Sequence, residues 1–269
     1  MPTYLLTIAY DGTHFHGWQI QARHRSVQEE LERALAAIDC IGVRVEGAGR
    51  TDTGVHAIAQ CAHVRLARAF PVERLALALN THLPDDVSVQ RVQEAPPDFH
   101  ARFYARGKRY AYRCLSSPVR PAIGRSLYHW TRRPIDFAAM RAAVGCLQGT
   151  HDFLSFATNP GRPLIRGTVR TLHHVHLLHR PGGFDFVVQG NGFLYNMVRN
   201  LVGSLLEVGY GNQPPEWLAQ VLAARERRLA GPTAPASGLY LMRVLYAPDL
   251  SKAGVEPGTE NADADELCE

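Results

Sequence analysis

The chain has 269 residues, of which 46% are hydrophobic and 20% are charged, a composition typical of a globular protein with one large domain or two small ones. No run of apolar residues is long enough to span a bilayer, so we expect no membrane partner. The five cysteines form no C-x-x-C pair, and the first residues lack the basic segment of a signal peptide. We therefore expect reduced thiols in a soluble, cytoplasmic protein.

The net charge of +4 conceals an asymmetry between the body of the chain and its end. Residues 251–269 contain six acidic residues and one lysine, a net charge of −5, which leaves +9 on residues 1–250. Nearly all the basic residues are arginines, with Lys108 and Lys252 as the only lysines. A GC-rich genome accounts for most of these arginines, although a positively charged body also suits a polyanionic partner. We predict that residues 249–269 form a disordered acidic tail.

The first half of the chain, residues 1–105, alternates between strand and helix patterns. Strands are predicted where apolar and polar residues alternate, and helices where apolar residues recur every three or four positions. A capping box at Ser26 and Glu29 marks the start of the first helix, and Pro71 opens the second. The predicted order is strand, helix, strand, strand, helix, strand, over residues 4–10, 27–38, 43–47, 60–66, 71–79 and 87–92.

The second half, residues 106–248, repeats this order and adds one helix. The predicted elements are strand 108–115, helix 134–147, strands 168–178 and 184–189, helix 194–208, the additional helix 215–224 and strand 238–246. Alternating strands of this kind indicate antiparallel or mixed sheets that helices cover. The predicted fold class is therefore α+β, with two similar β-α-β-β-α-β halves. A cleft between the halves would receive the segment 49–56 from one side and Arg199 from the other.

A glycine-rich segment, residues 47–54, lies between two predicted strands and carries Arg50 and Asp52 among small residues. Its glycines allow the backbone to approach a ligand closely. Small neighbours cannot shield a carboxylate, so Asp52 lies either on an exposed turn or on the floor of a pocket walled by other segments. The segment lacks the third glycine and the following helix of a dinucleotide-binding loop, and the Gly-Lys-Ser/Thr of a P-loop is absent from the chain.

Read as a whole, the octet GRTDTGVH at residues 49–56 resembles the signature of the tRNA pseudouridine synthase A family. Four further blocks resemble segments of the same family and occur in the same order. They are YDGT at 10–13 with Phe15 and GWQIQ at 17–21, FHARF at 99–103 with KRYAY at 108–112, GNGFLYNMVRNLVG at 190–203, and APASGLYL at 234–241. The resemblance extends from about Tyr4 to Tyr246.

This resemblance implies a pseudouridine synthase fold and the isomerisation of uridine to pseudouridine at positions 38, 39 and 40 of the anticodon stem-loop of tRNA, with no cofactor and no metal. It also implies a homodimer whose combined surface grips one tRNA. By the same resemblance Asp52 is the essential aspartate, Tyr110 binds the substrate, and Arg199 is an active-site residue. Arg50 we expect to hold the loop or a phosphate.

The chemistry of the reaction suits these residue types. A carboxylate such as Asp52 can act as nucleophile or base without a metal. It could add to C6 of the uracil, attack C1′ of the ribose or remove a C2′ proton, and the residues leave all three routes open. Arg199, if it pairs with Asp52, would keep that carboxylate ionised and oriented. A tyrosine such as Tyr110 can stack on a base that has flipped out of its stem.

Several other residues have a structural interpretation beside a functional one. Tyr112 is expected in the core, while Trp18 and His56 are divided between structural roles and contact with RNA. The pair Arg227 and Arg228 is predicted to be a solvated helix end. Four histidines invite a metal-site interpretation, but on a strand they fall on alternating faces with no other ligand at metal spacing, which favours a solvated or RNA-facing strand. They are His173, His174, His176 and His179.

Two other functions compete with the pseudouridine synthase. A carboxylate-dependent nucleoside or glycoside hydrolase would need a second catalytic acid, for which Asp11 is the only nearby candidate. An RNA-binding module without catalysis would need the basic body alone. The fate of the uracil base separates the three, because only isomerisation detaches hydrogen from C5 and keeps the base on the chain.

Overall fold

The computed structural model describes residues 1–38, 40, 42–158, 167–248 and 250. In the first half it contains β1 (Thr3–Tyr10), α1 (Val27–Ala37), β2 (Glu46–Gly47), β3 (His56–Arg65), α2 (Val72–His82) and β4 (Val87–Ala95). In the second half it contains β5 (Gly107–Ser116), β6 (His129–Thr131), α3 (Phe137–Val144), β7 (Gly149–Asp152), β8 (Val169–Arg180), β9 (Gly183–Gly190), α4 (Met197–Gly209), α5 (Trp217–Ala224) and β10 (Leu239–Leu245).

Local side-chain chemistry accounts for where the helices begin. Ser26 accepts a hydrogen bond from the backbone N–H of Glu29 at 3.3 Å, as expected for the predicted cap of α1. α3 begins after residue 134, the predicted start, because Asp136 caps it by accepting from the N–H of Ala139 at 2.9 Å. α4 begins at Met197 rather than at 194, because Asn196 has φ of 59°, a left-handed conformation that asparagine tolerates and that a helix interior excludes.

Every predicted strand is present in the predicted order, with shifted ends, and two further short strands, β6 and β7, occur that the sequence did not predict. β3 begins at His56, four residues before its predicted start at 60. β6 and β7 are only three and four residues long. So few residues do not establish an alternating pattern, which is why the sequence does not predict these two strands.

The strands of the described residues form one mixed sheet in the order β4-β1-β3-β10-β5-β9-β8-β7, with β2 paired to β3 and β6 to β5. In the first half the last strand, β4, lies beside the first, β1, followed by β3 and β2. In the second half the last core strand, β10, lies beside the first, β5, followed by β9 and β8. Both halves therefore have the same strand order, which confirms the predicted α+β fold with two similar halves.

The two halves meet where β10 pairs in parallel with β3, with Tyr240 opposite His56 and Leu241 opposite Ala57. β10 pairs on its other side with β5 in antiparallel orientation. The start of β3, which follows the glycine-rich segment, is thereby fixed close to the middle of the second half. The expected boundary near residue 105 falls between β4 and β5, and the predicted tail 249–269 lies outside the described residues except for Leu250.

One hydrophobic core extends through both halves and holds these strands in place. In the first half, Leu6 and Ile8 of β1 and Leu31 of α1 are fully buried. In the second half the same is true of Leu201 and Leu205 of α4. Burial of such side chains contributes about 1.5–3 kcal/mol each. None of the helices within the described ranges is long and apolar enough to cross a bilayer.

Candidate active site

The segment between β2 and β3, residues 48–55, is fixed at its first end by β3. The backbone N–H of Ala48 donates to the carbonyl of Cys61 at 2.7 Å. Gln60, which is fully buried, donates from Nε2 to the carbonyl of Gly49 at 3.0 Å, and its Oε1 accepts from the N–H of Cys61. A buried amide is costly unless it is hydrogen-bonded, so Gln60 holds the segment in one conformation.

The middle of the segment is held by the loop that follows β1. The N–H of Trp18 donates to the carbonyl of Thr51 at 3.1 Å, and the N–H of Gly54 donates to the carbonyl of Phe15 at 3.2 Å. Gly17 makes this approach possible, because it has φ of 86° and a Cβ at its position would lie 2.5 Å from the Thr51 carbonyl oxygen. Only glycine adopts this conformation at so short a distance without strain.

Tyr10 supports the residue that precedes Asp52. Its hydroxyl and that of Thr51 are 2.8 Å apart, and both residues are buried. Burial raises the pKa of Tyr10 far above its ordinary value, so the phenol keeps its proton. The backbone on the N-terminal side of Asp52 is therefore fixed by a hydrogen bond within the core.

His56 ends the octet and ties it to two other loops. The ring is almost fully buried, and burial lowers the pKa of His56, which favours the neutral form. Nδ1 accepts from the N–H of Gly12 at 3.0 Å, so the proton is assigned to Nε2, which lies 3.1 Å from the carbonyl oxygen of Ser126. His56 is thus a structural residue of the loop, which resolves the two interpretations of the sequence.

The carboxylate of Asp11 is bound by residues of its own loop. Its carboxylate accepts from the N–H of Thr13 at 2.9 Å and lies 3.1 Å from Nδ1 of His56. Burial raises the pKa of Asp11, but the hydrogen bonds that it accepts from the hydroxyl and the backbone N–H of Thr13 oppose burial, and the pKa lies below its ordinary value. Asp11 therefore remains ionised, which makes it unsuitable as the second acid that a hydrolase would need.

Asp52 lies half-buried at the crest of the segment. Its backbone carbonyl accepts from the N–H of Val55 at 3.1 Å, whereas no described residue donates a hydrogen bond to its carboxylate. Burial raises the pKa of Asp52, and the positive charge of Arg199 offsets part of this increase. The carboxylate is therefore partly desolvated, held on a rigid backbone, and open to a ligand.

Tyr110 faces this carboxylate from β5. The residue is 9% exposed, and its ring packs edge-on against Phe193 with centroids 4.9 Å apart. Burial raises the pKa of Tyr110 strongly, and the proximity of Tyr10 and of the Asp52 carboxylate raises it further. The hydroxyl keeps its proton and forms no hydrogen bond with any described residue, so it is available as a donor in the cleft.

Arg199 approaches from α4, in the second half of the chain. Its Nε donates to the carbonyl of Ala234 at 2.7 Å, and its Nη1 donates to Oδ1 of Asn196 at 3.1 Å. The guanidinium is close enough to lower the pKa of Asp52, yet within the described residues the two groups form no ion pair at 4.0 Å or less. The structure thus brings Asp52, Tyr110 and Arg199 close to one another, with the arginine held by neutral acceptors.

A buried polar network fixes the start of α4. Asn200, fully buried, donates from Nδ2 to the carbonyl of Phe156 at 2.7 Å, while its Oδ1 accepts from Arg227 at 3.0 Å and from Thr233 at 2.6 Å. The prediction of a solvated helix end is wrong for Arg227, because its guanidinium donates to the buried Oδ1 of Asn200 and to the carbonyls of Ala230 and Gly231. The same prediction is right for Arg228, whose side chain is 89% exposed.

The remaining candidates separate into core and surface. Trp18 is 2% exposed and packs against Gly47, and Tyr112 is fully buried and donates to the carbonyl of Pro235 at 2.9 Å, so both are structural. Arg50 is exposed and forms no hydrogen bond or ion pair with the described residues. Four histidines of β8 are exposed, as expected for a solvated strand: His173, His174, His176 and His179.

One cluster has the composition of a metal site. Glu46, His63 and His100 bring their ligand atoms within 4.8 Å of one another, and Nε2 of His63 is buried without a hydrogen bond. Nδ1 of His63, however, accepts from the N–H of Ala101 at 3.3 Å. This bond places the proton of the neutral ring on Nε2, which then has no lone pair for a metal. The cluster would have to rearrange before it could bind an ion.

Sequence reasoning missed several residues that shape the site, namely Tyr10, Gln60, Lys108 and Asn200. Tyr10 and Lys108 belong to family-like blocks, and Lys108 is one of only two lysines, which were the available signals. Gln60 has the appearance of an ordinary polar residue, and Asn200 lies in the block 190–203 without any feature that distinguishes it there. Their importance follows from burial, which the local pattern does not reveal.

Comparison with known proteins identifies the class of enzyme. A sequence profile of a family described as tRNA pseudouridine synthase matches residues 6–104 and 143–247, more than two thirds of the chain. The chain therefore belongs to this family and is an enzyme of the isomerase class.

Curated relatives narrow the class to tRNA pseudouridine synthase A. The protein of that name from Geobacillus kaustophilus is 45% identical over 89% of this chain and 92% of its own length. Those from Halalkalibacterium halodurans and Bordetella petrii are 46% and 43% identical, over 87% and 93% of this chain and 89% and 93% of their own lengths. Matches of this extent cover most of both halves of the chain.

Proposed function

We propose that this enzyme converts uridine to pseudouridine at positions 38, 39 and 40 in the anticodon stem-loop of tRNA, with Asp52 as the essential carboxylate. Its family and its relatives' names point to uridine in tRNA as the substrate. The observation that carries the proposal is the carboxylate itself. Asp52 is desolvated and held on a rigid loop, and no described residue donates a hydrogen bond to it, so it is free to react with a nucleotide that enters the cleft.

Tyr110 and Arg199 complete the proposed site. The Tyr110 ring supplies an apolar surface on which a flipped uracil can stack, and its protonated hydroxyl can donate to the base or to the carboxylate. Arg199 lowers the pKa of Asp52 and keeps more of it ionised at neutral pH. When substrate displaces water from the cleft, this attraction becomes stronger because the local dielectric falls.

The three chemical routes to pseudouridine share this arrangement. Addition to C6, attack at C1′ and removal of the C2′ proton all require an ionised carboxylate within reach of the nucleoside. Each also requires that the uracil be turned before it is reattached through C5. In this proposal Tyr110 stacks on the base and Asp52 faces the nucleoside, an arrangement that all three routes require.

The proposal also includes two partners, an RNA phosphate at Arg50 and a second copy of the chain. Arg50 is exposed beside Asp52 and lacks a described partner, so we assign it a contact with an RNA phosphate. By the resemblance to its family, the enzyme acts as a homodimer that grips one tRNA in the cytoplasm. Large exposed apolar side chains, such as Val119 and Ile123 at 76% and 91%, offer contact area for a second copy. Light scattering at several protein concentrations measures the molar mass directly and so tests whether the protein is a dimer.

The test of the chemistry uses unmodified tRNA whose uracil carries tritium at C5. Isomerisation releases the tritium and leaves the base attached, hydrolysis frees uracil, and binding alone does neither. We expect the wild-type protein to release tritium and Asp52→Asn to release none, while both bind tRNA. Continued release by Asp52→Asn would overturn the assignment of the carboxylate.

The matched control is Asp85→Asn, which makes the same chemical change at an exposed position between α2 and β4. This variant should retain the wild-type rate. Mapping the pseudouridines of the product by carbodiimide modification and primer extension tests the position. Pseudouridine outside positions 38 to 40 would contradict the proposed specificity while leaving the catalytic carboxylate intact.

A further inference from the structure

Lys108 is a charged group of the cleft that the proposed chemistry does not use. It lies on β5 two residues before Tyr110, and side chains two apart on a strand point to the same face, about 7 Å from each other. Tyr110 faces Asp52, whereas the Lys108 ammonium lies against Gly49, where a Cβ would be only 2.1 Å from Nζ. The two β5 residues therefore face the two ends of the segment 49–52.

The ammonium has no partner within the part of the chain that the structure describes. No carboxylate lies within 4.0 Å of Nζ, and no described acceptor takes a hydrogen bond from it. The Gly49 carbonyl is already bound by Gln60, so Lys108 is not needed to hold the loop. Burial, and to a smaller extent the positive charge of Arg102, lowers the pKa of Lys108 to about 8.

A partly buried cation beside a like charge is costly unless an anion joins it. The substrate of this family of enzymes is a polyanion, and entry of a flipped nucleotide brings its backbone phosphates into the same cleft. A phosphate against Nζ would repay the desolvation of the lysine and offset the repulsion from Arg102. It would also form hydrogen bonds with donors that are now unused.

We propose that Lys108 binds a backbone phosphate next to the target uridine. This contact positions the nucleotide between Tyr110 and Asp52. This inference rests on the proposed placement of the reaction at Asp52. It assigns to the lysine a binding role that is separate from the chemical step. Arg102, exposed at the rim, belongs to the same phosphate site.

The experiment measures equilibrium binding of unmodified tRNA to Lys108→Met at several salt concentrations, together with kcat and KM from tritium release. Methionine keeps the length of the side chain and removes its charge. We expect tRNA binding at low salt to weaken about tenfold. The slope of log K against log salt should decrease in magnitude by about 0.7 to 0.9, the contribution of one phosphate. KM should rise while kcat at saturating tRNA stays within about twofold of the wild type.

A pH series adds a readout that a purely structural lysine would not move. Between pH 7 and 9 the wild-type protein should lose affinity as Lys108 loses its proton, and Lys108→Met should lack this loss. Arg74→Met is the matched control, because Arg74 is exposed on α2; it should keep the wild-type slope and pH dependence. Lys108→Gln provides a second variant should the methionine disturb folding, which thermal denaturation monitors.

An unchanged salt slope, or a fall in kcat with KM unchanged, would overturn the proposal and make Lys108 a support of the loop. The outcome is distinguishable from failure of the proposed function. If Asp52→Asn still released tritium, the catalytic assignment would fail, whereas the salt slope of Lys108→Met would still report the phosphate contact.

Discussion

Arg199 and Ala234 bind each other through two hydrogen bonds: the N–H of Ala234 donates to the carbonyl of Arg199 at 3.1 Å, and Nε of Arg199 donates to the carbonyl of Ala234 at 2.7 Å. The segment that leads into β10 thus fixes both the backbone and the guanidinium of the arginine. Gly203, one turn further along α4, permits this contact, because a Cβ there would lie 1.7 Å from the carbonyl oxygen of Pro232.

This relationship predicts the effect of Arg199→Met on the pH dependence of the reaction. Burial raises the pKa of Asp52 and the charge of Arg199 lowers it, so removal of the charge should raise the pKa further. An essential carboxylate must be ionised, and the acid limb of kcat against pH should therefore move to higher pH. We expect turnover to fall far more than tRNA affinity, as measured by tritium release and equilibrium binding.

Arg228→Met is the control for Arg199→Met, since it removes an arginine that is almost fully exposed. Its acid limb should coincide with that of the wild type. Equal losses of affinity and turnover in Arg199→Met would instead make Arg199 a binding residue. An unmoved acid limb would show that its charge does not act on Asp52.

Tyr110→Phe separates the ring of Tyr110 from its hydroxyl. The ring packs on Phe193 and should still stack on the base, so tRNA affinity should be nearly unchanged. The hydroxyl stays protonated because burial raises its pKa, and its loss removes a donor from the cleft. If the hydroxyl moves a proton in the reaction, kcat should fall by about 100-fold or more. An unaltered kcat would limit Tyr110 to stacking.

Gly17→Ala tests the close contact beneath the segment that carries Asp52. Gly17 has φ of 86° and a Cβ there would lie 2.5 Å from the Thr51 carbonyl oxygen. We expect a loss of about 2–3 kcal/mol in the free energy of unfolding, together with a fall in kcat, because the segment must shift. Denaturant titration measures the first quantity and tritium release the second.

Gly42→Ala is a matched control for Gly17→Ala. Gly42 also has a positive φ, 77°, but a Cβ there meets nothing within 4 Å. It should cost only about 1 kcal/mol and leave kcat unchanged. If the two variants lost equal stability and neither lost activity, the contact between Gly17 and Thr51 would have no part in positioning Asp52.

Lys108→Met should make the folded protein more stable at neutral pH. Burial lowers the pKa of Lys108 from 10.5 to about 8, so the charged form is disfavoured by folding. Below about pH 8 the lysine is charged in both states and this cost is fully present. Between 8 and 10.5 the unfolded chain binds more protons, and the stability of the wild type rises with pH. The advantage of Lys108→Met should therefore be greatest below pH 8 and disappear near pH 10.5, as followed by thermal denaturation.

The order of most elements and the choice of Asp52 as the candidate carboxylate were accessible from the sequence, because each depends on residues that are near in the chain. Periodicity specified the helices and most strands, and the octet around Asp52 carried the family signature. The short β6 and β7 were missed for the same reason, since they have too few residues to show a period.

The electrostatics of the site depended on the tertiary structure, because burial and proximity are set by segments from both halves. From the sequence Arg227 is expected to be solvated, but in the structure it donates a hydrogen bond to the buried Oδ1 of Asn200. From the sequence Lys108 is an ordinary polar residue of a strand. In the structure its ammonium lies against Gly49 and is partly desolvated. The sequence alone pointed to Asp52, because the residues of its octet are contiguous in the chain. Only the packing of β5 and α4 around it decided that its pKa is raised and that Tyr110 and Arg199 are its neighbours.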